Sequence, residues 1–163
     1  MKFNLIDKIE TLSDDRIVAA KYVSLAEEYL ADHFPTFPVL PGVMMLEAIT
    51  QAAAWVLHRR NDFAKSMALL KEARNVKYGT FVAPGQSLRV DVEWVKPTEA
   101  GGLFKATGTV GAAQAVAGRF EFAYFNLADR NPELAAVDER LRAHNRQRWA
   151  LLEQSLKQGG VPV

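Results

Sequence analysis

From Gly42 to Leu57 the chain reads Gly-Val-Met-Met-Leu-Glu-Ala-Ile-Thr-Gln-Ala-Ala-Ala-Trp-Val-Leu, a run that is apolar around almost its whole circumference when wound into a helix. Such a helix has no face to offer water, so it must lie inside a membrane or inside a protein. Glu47 and Gln51 interrupt it and His58-Arg59-Arg60 end it, short of the ~20 clean residues a membrane span needs. The solution left is a single helix wrapped by the rest of a soluble chain. Its limits are readable too. Pro35, Pro38 and Pro41 prevent regular helix over 34–40, and Pro41 suits the first turn of the next helix. His58, Arg59 and Arg60 place positive charge at that helix's negative end.

The wrapping layer announces itself by a change of period. Ser87 to Lys96 alternates Leu88, Val90, Val92 and Trp94 against Arg89, Asp91 and Glu93, a half-buried strand opened by the turn Pro84-Gly85-Gln86. Gly101-Gly102 is read as the hairpin turn before a strand over Leu103–Val110, and Gly111-Ala112-Ala113 as the turn before Ala115–Phe125, with Phe120, Phe122 and Tyr124 on one face. Arg16–Val23 is expected to be a strand, Leu25–Leu30 one or two helical turns, and Phe63–Leu70 another strand. Strand, loop, one buried helix and then several long strands predict an α+β fold, a curved antiparallel sheet wrapped around one long central helix. Beyond it, Asn131 caps and Pro132 starts an amphipathic helix whose apolar stripe runs Leu134, Val137, Leu141, Trp149, Leu152 and Leu156, with Asp138, Glu139, Arg140, Arg142, Arg146, Arg148 and Glu153 on its other faces. This helix is expected to pack on its own sheet or on a neighbouring subunit. The chain thus divides into 1–126 and a helical extension, 127–163.

Composition narrows the chemistry. With 163 residues, 49% of them hydrophobic, the chain can bury a core as one domain. A net charge of +1 from 20 basic and 19 acidic residues gives no general attraction to nucleic acid or anionic membranes. The absence of cysteine removes thiol catalysis, thiolate metal sites and disulfides, and fits a cytoplasmic setting. Charges break the apolar run at the N-terminus too early for a secretory signal.

Glu47, Thr50 and Gln51 fall at i, i+3 and i+4, one polar cluster on an oily rod. Two readings stay open for it: a general acid at Glu47 oriented by Gln51, or a satisfied polar patch bonding a passing loop. A carboxylate in that helix is expected to sit in a core. His33 opens the stiff segment His33-Phe34-Pro35-Thr36-Phe37-Pro38-Val39-Leu40-Pro41-Gly42, which aims it at the free amides of the helix start, a positive end able to polarise a carbonyl. Base, acid and oxyanion site can then converge. His58 is read as complementing the helix C-terminus and His144 as solvated, neither with metal-ligand spacing. No Gly-x-Ser-x-Gly elbow or phosphate-binding glycine loop occurs, and the strand aromatics lack the basic stripe of a nucleic-acid platform.

His33-Phe34-Pro35, Pro38, Pro41-Gly42-Val43 and Glu47-Ala48-x-x-Gln51, fourteen positions from histidine to glutamate, resemble the beta-hydroxyacyl-[acyl-carrier-protein] dehydratases of fatty-acid synthesis. Weaker likeness in Leu5-Ile6-Asp7, Lys21-Tyr22-Val23-Ser24, Val76-Lys77-Tyr78 and Val82 to Leu88 extends it over roughly residues 3 to 126. The resemblance implies a hot-dog fold and a homodimer, with dimers able to assemble into hexamers. Each site would draw its histidine from one chain and its acid from the other. His33 would remove the alpha proton of a (3R)-hydroxyacyl thioester carried by acyl carrier protein, Glu47 would help the beta hydroxyl leave, and the Gly42 N–H would hold the thioester oxygen, giving a trans-2-enoyl thioester. Gln51 and Thr50 would support Glu47, and no cofactor is required. The chain departs from the family pattern at Ala26-Glu27, Ala31-Asp32, Thr36-Phe37 and Gly79-Thr80-Phe81. The alternatives are a hot-dog thioesterase and an acyl- or carrier-binding subunit without turnover.

Overall fold

The computed structural model describes residues 3–158. Six strands form one antiparallel sheet: β1 (Lys8–Leu12), β2 (Arg16–Tyr22), β3 (Met67–Tyr78), β4 (Ser87–Thr98), β5 (Gly101–Val110) and β6 (Ala113–Phe125). Their order is β1-β2-β4-β5-β6-β3. Helix α1 (Gly42–Arg60) lies against the sheet, and α2 (Ala135–Gln158) comes after β6. The expected curved sheet around one helix is what the chain forms.

The core is where the two periodicities meet. Leu88, Val90, Val92 and Trp94 of β4, Phe104 of β5 and Phe120, Phe122 and Tyr124 of β6 face Met45, Ala48, Ile49, Ala52, Ala53, Val56 and Leu57 of α1. Fully burying one such large side chain is worth about 1.5–3 kcal/mol, so this face holds the helix in place. Alanines at 48, 52 and 53 let the sheet come close, and Trp94 stacks flat on Phe104 with ring centroids 5.4 Å apart.

The strands depart from expectation at both edges and in one turn. The Gly101-Gly102 pair opens β5 instead of forming the hairpin turn, which is made by Glu99-Ala100. With φ of 123° and 134° these glycines pair with Thr98 and Pro97, and a Cβ on Gly101 would collide with the Phe122 carbonyl. The strand expected over Phe63–Leu70 begins only at Met67 and continues to Tyr78. Asp62 and Phe63 instead turn the chain out of α1 with φ of 46° and 56°. Much of β3 is invisible to pattern reading because it is an edge strand, mostly exposed, without an apolar alternation. β1 has no counterpart in the sequence reading. It is five residues long at the opposite edge.

Asp138, assigned from its spacing to an outer face of the last helix, is 1% exposed. Its carboxylate accepts from the backbone N–H groups of Leu127 and Ala128 at 2.9 and 2.8 Å and from the Ser66 hydroxyl. Burial raises its pKa, but these bonds and nearby Arg142 outweigh that and hold it below the usual carboxylate range. His58 is likewise buried, against its reading as a charged helix end. The start of the last helix is as expected: the Asn131 side chain accepts from Glu133 N at 3.2 Å, with Pro132 in a first turn of 3-10 helix. α2 lies on its own domain, with Trp149 and Leu152 in the core, Trp149 beside Trp55 at 5.6 Å, and Ser155 Oγ accepting from Ile9 N at 3.0 Å. Among the described residues no helix is long and apolar enough to cross a membrane.

Candidate active site

His33 sits at the end of a pinned segment. Lys21 of β2, 5% exposed, holds Glu27 at 2.6 Å and Asp7 at 3.4 Å. Burial pushes the Glu27 carboxyl up, but its hydrogen bonds and the charge of the Lys21 ammonium more than offset this and leave it below its ordinary range. A 3-10 turn, Glu28–Leu30, comes next, and His33 N donates to Tyr29 O at 3.1 Å. Phe34 and Phe37 exchange backbone bonds at 3.1 and 3.0 Å, Val39 N donates back to His33 O at 3.0 Å, and Leu40 N reaches Val82 O at 2.8 Å. The loop is therefore rigid on both sides.

The imidazole is half-buried and lies on the Phe34 ring at 4.2 Å. Its Nδ1 is 3.1 Å from the Val39 carbonyl oxygen. A carbonyl only accepts, so Nδ1 is the donor, and in the neutral ring the lone pair is then on Nε2. That is the tautomer a base needs.

Gly42 begins α1 behind Pro41, which has extended backbone and no capping side chain. The N–H groups of Met44 and Met45 turn back to the Pro41 carbonyl, while those of Gly42 and Val43 belong to the first turn and are left to point outward. The Tyr78 ring covers this helix tip: a Cβ on Gly42 would come within 2.8 Å of Tyr78 Cε1. Phe37 of the histidine loop and Phe81, three residues beyond Tyr78, meet edge to face at 5.5 Å.

Glu47 lies one turn further along α1 and is half-buried in the single chain, less covered than its apolar neighbours in sequence suggest. Gln51 Nε2 donates to Glu47 Oε1 at 2.9 Å, and Gln51 Oε1 accepts from Leu5 N at 2.9 Å. The backbone of Leu5 thus sets which way the Gln51 amide faces, and the amide presents its donor to the carboxyl. Thr50 does not join them, because its hydroxyl donates to Leu46 O at 2.9 Å within the helix.

Glu47 and Gln51 open into a cavity of about 310 Å3 with Phe3, Ala54, Trp55, His58 and Met67 on its walls. Leu141, Asn145 and Arg148 of α2 close another side. Neither His33 nor Gly42 lines it. A larger concavity, about 590 Å3, lies between Leu69, Lys71 and Leu103 on the sheet and Arg130 in the segment after β6, and holds none of His33, Gly42 and Glu47. Sequence reasoning misses the α2 residues because their stripe reads as surface packing, and Tyr78 because nothing in an exposed edge strand marks it as a neighbour of Gly42.

A family model described as a FabA-like domain matches residues 1–119. The 3-hydroxyacyl-[acyl-carrier-protein] dehydratase FabZ of Clostridium perfringens (strain SM101 / Type A) is 36% identical over 121 residues, covering 74% of this chain and 87% of that protein. Among solved structures, a chain of the dehydratase heterocomplex ApeI:P from Xenorhabdus doucetiae superposes with a TM-score of 0.66 at 18% identity, over 82% of this chain and 90% of that one. A hypothetical thioesterase with coenzyme A from Streptococcus pneumoniae TIGR4 gives a TM-score of 0.56 at 12% identity, over 72% and 84%. At such identities the structures speak for the fold alone, which houses more than one chemistry. The matched domain and the Clostridium relative go further: this chain belongs to the FabA-like family, the beta-hydroxyacyl-[acyl-carrier-protein] dehydratases, and has their hot-dog fold.

Proposed function

We propose that this protein is a hydro-lyase that dehydrates (3R)-hydroxyacyl thioesters on acyl carrier protein to trans-2-enoyl thioesters in fatty-acid synthesis, at sites shared by two protomers. One observation carries the shared site. Gly42 lies beside Tyr78 at one end of β3, while Glu47 shares a cavity with Met67 at the other end. β3 is a twelve-residue strand with no neighbour along its outer edge among the described residues, and such an edge invites pairing. Two copies joined antiparallel along β3 would set the Tyr78 end of one against the Met67 end of the other. The His33 and Gly42 of each would then face the other's Glu47.

In that arrangement the thioester oxygen accepts from the Gly42 N–H, aided by the positive end of α1. His33 Nε2 takes the alpha proton, and the electron pair moves onto the carbon skeleton as the beta C–O bond breaks. The Glu47 carboxyl gives its proton to the departing hydroxyl, which leaves as water, while Gln51 occupies the other carboxyl oxygen. Solvent then takes the proton from His33 and returns one to Glu47. The chain's residues suffice for each step. We further take residues 1–126 as the catalytic domain with 127–163 as its extension, a cytoplasmic homodimer as the working unit, and a hexamer of three such dimers as the higher assembly that sedimentation would reveal.

The test is hydration of a crotonyl thioester, the reverse reaction. His33→Ala and Glu47→Gln should each lower turnover roughly a hundred- to ten-thousand-fold with the dimer intact. Mixing the two variants should restore activity, because one site of each mixed dimer holds an intact His33 and an intact Glu47. Full activity in either variant would overturn the roles. Failure of the mixture to recover would overturn the shared site, and release of free thiol from acyl-CoA would point to hydrolysis instead.

A further inference from the structure

The cavity beside Glu47 is closed partly by α2, and α2 lies beyond residues 1–119 matched by the family domain. Leu141, Asn145 and Arg148 fall at i, i+4 and i+7, one stripe of that helix. The stripe is anchored at both ends. Asp138, one turn before it, is sealed on the amides of Leu127 and Ala128, and Trp149 and Leu152 fix the turn after it in the core. Arg148 Nη2 donates to Asn4 Oδ1 at 2.8 Å, and Asn145 Nδ2 lies 3.4 Å from Ser66 O. These side chains form a built wall.

We propose that α2 sets acyl-chain selection, with Leu141 and Arg148 as the specificity-determining residues. The inference rests on the site proposed above, in which a thioester held between one protomer's Gly42 and the other's Glu47 carries its acyl tail into this cavity. Two physical features then limit the tail. Leu141 takes up length directly, and a cavity wall gives little, because packed side chains have few voids to move into. Arg148 and Asn145 make part of the lining polar, and bare methylenes pressed against a guanidinium would strip water from it without replacing its hydrogen bonds. Both features favour short acyl chains over long ones.

The experiment measures kcat/KM for four-carbon and ten-carbon 3-hydroxyacyl or enoyl thioesters and compares their ratio. Leu141→Trp should lower the ten-to-four ratio about tenfold or more, and Arg148→Leu should raise it by a similar factor, since one or two methylenes in a pocket are worth that much discrimination. His144→Ala, on the exposed side of α2, should leave the ratio where it is. Melting curves and sedimentation check that each variant remains a folded dimer. If Leu141→Trp does not fold, Arg148→Leu decides the matter alone. An unchanged ratio, or an equal loss on both substrates, overturns the wall. Absence of turnover in the wild-type protein would instead sink the site reading itself, and this inference with it.

Discussion

Two histidines flank α1 in opposite environments, His58 in its last turn and His33 in the loop that leads into its first. His58, at the C-terminal end, is 4% exposed, stacked on Phe63 at 5.7 Å, edge-on to Tyr124 at 5.3 Å, and lies 3.4 Å from the Asn145 amide of α2. Burial pushes its pKa down to about 4, only partly opposed by the Lys65 backbone. It is neutral, so it cannot complement the helix end as its sequence position suggests; Arg59 and Arg60 remain for that. His33, in the loop before the N-terminal end, has one nitrogen on a carbonyl and, among the described residues, no hydrogen-bond partner on the other. Around it Phe34, Phe37, Val43, Tyr78 and Phe81 are exposed, Val43 to 69%. Exposed apolar side chains gathered in this way suit an interaction surface. One end of the helix is completed within the chain by α2, and the other is left open, where the proposed dimer would cover it. Residue type sets what a side chain is able to do, while its cover decides whether it does it.

Removing the cover is the strongest way to break this contrast. Trp149→Ala takes a large ring from beside Trp55 and Arg59 and should cost about 3–5 kcal/mol in denaturant unfolding. A loss under about 1 kcal/mol would mean that α2 is not a structural lid.

Acid titration is the next largest effect, and its sign is set by His58. Above the ordinary histidine pKa of about 6.5 both folded and unfolded states hold a neutral ring. As pH falls from there through about 4, the unfolded chain binds a proton that the folded chain refuses, so stability drops, by roughly 3 kcal/mol once pH is below both values. Glu27 and Asp138, held below their ordinary range, act in the same direction at lower pH. His58→Phe should therefore flatten unfolding free energy against pH between about 5 and 6.5, where the carboxylates are still ionised. An unchanged slope there would show that His58 is not the group responsible.

The smallest effect is expected at the exposed end. Phe37→Ala, at the exposed end, should change the unfolding free energy of the isolated chain by no more than about 0.5 kcal/mol while weakening self-association measured by sedimentation. If it destabilised the chain as much as Trp149→Ala, the two ends would not differ in the way described.

Elements that bury one regular face are legible in the residues, and exposed ones are not. α1, β4 and β6 are readable because their periods survive in the sequence. β3 is not, since an edge strand with solvent on most of its length needs no alternation, and Asn75 at φ 53° with a register shift between Arg74 and Lys77 interrupts it. In the site, the spacing of His33, Gly42 and Glu47 is plain, whereas the work of each neighbour is hidden. Gln51 is turned by Leu5 from 46 residues away, and Thr50, equally well placed by spacing, bonds its own helix.

By itself the sequence determined that a single oily helix must be wrapped by a sheet, that a proline-stiffened histidine loop leads into it, and that a carboxyl belongs to its first turns. Those facts come from local backbone sterics and from the period of side chains along one element. Only the tertiary structure decided which nitrogen of His33 is free, that His58 is sealed and Asp138 buried, and that α2 stands beside Glu47. Each of these depends on groups far apart in the chain meeting in space, where desolvation and hydrogen bonding set the state of a residue and no local pattern records them.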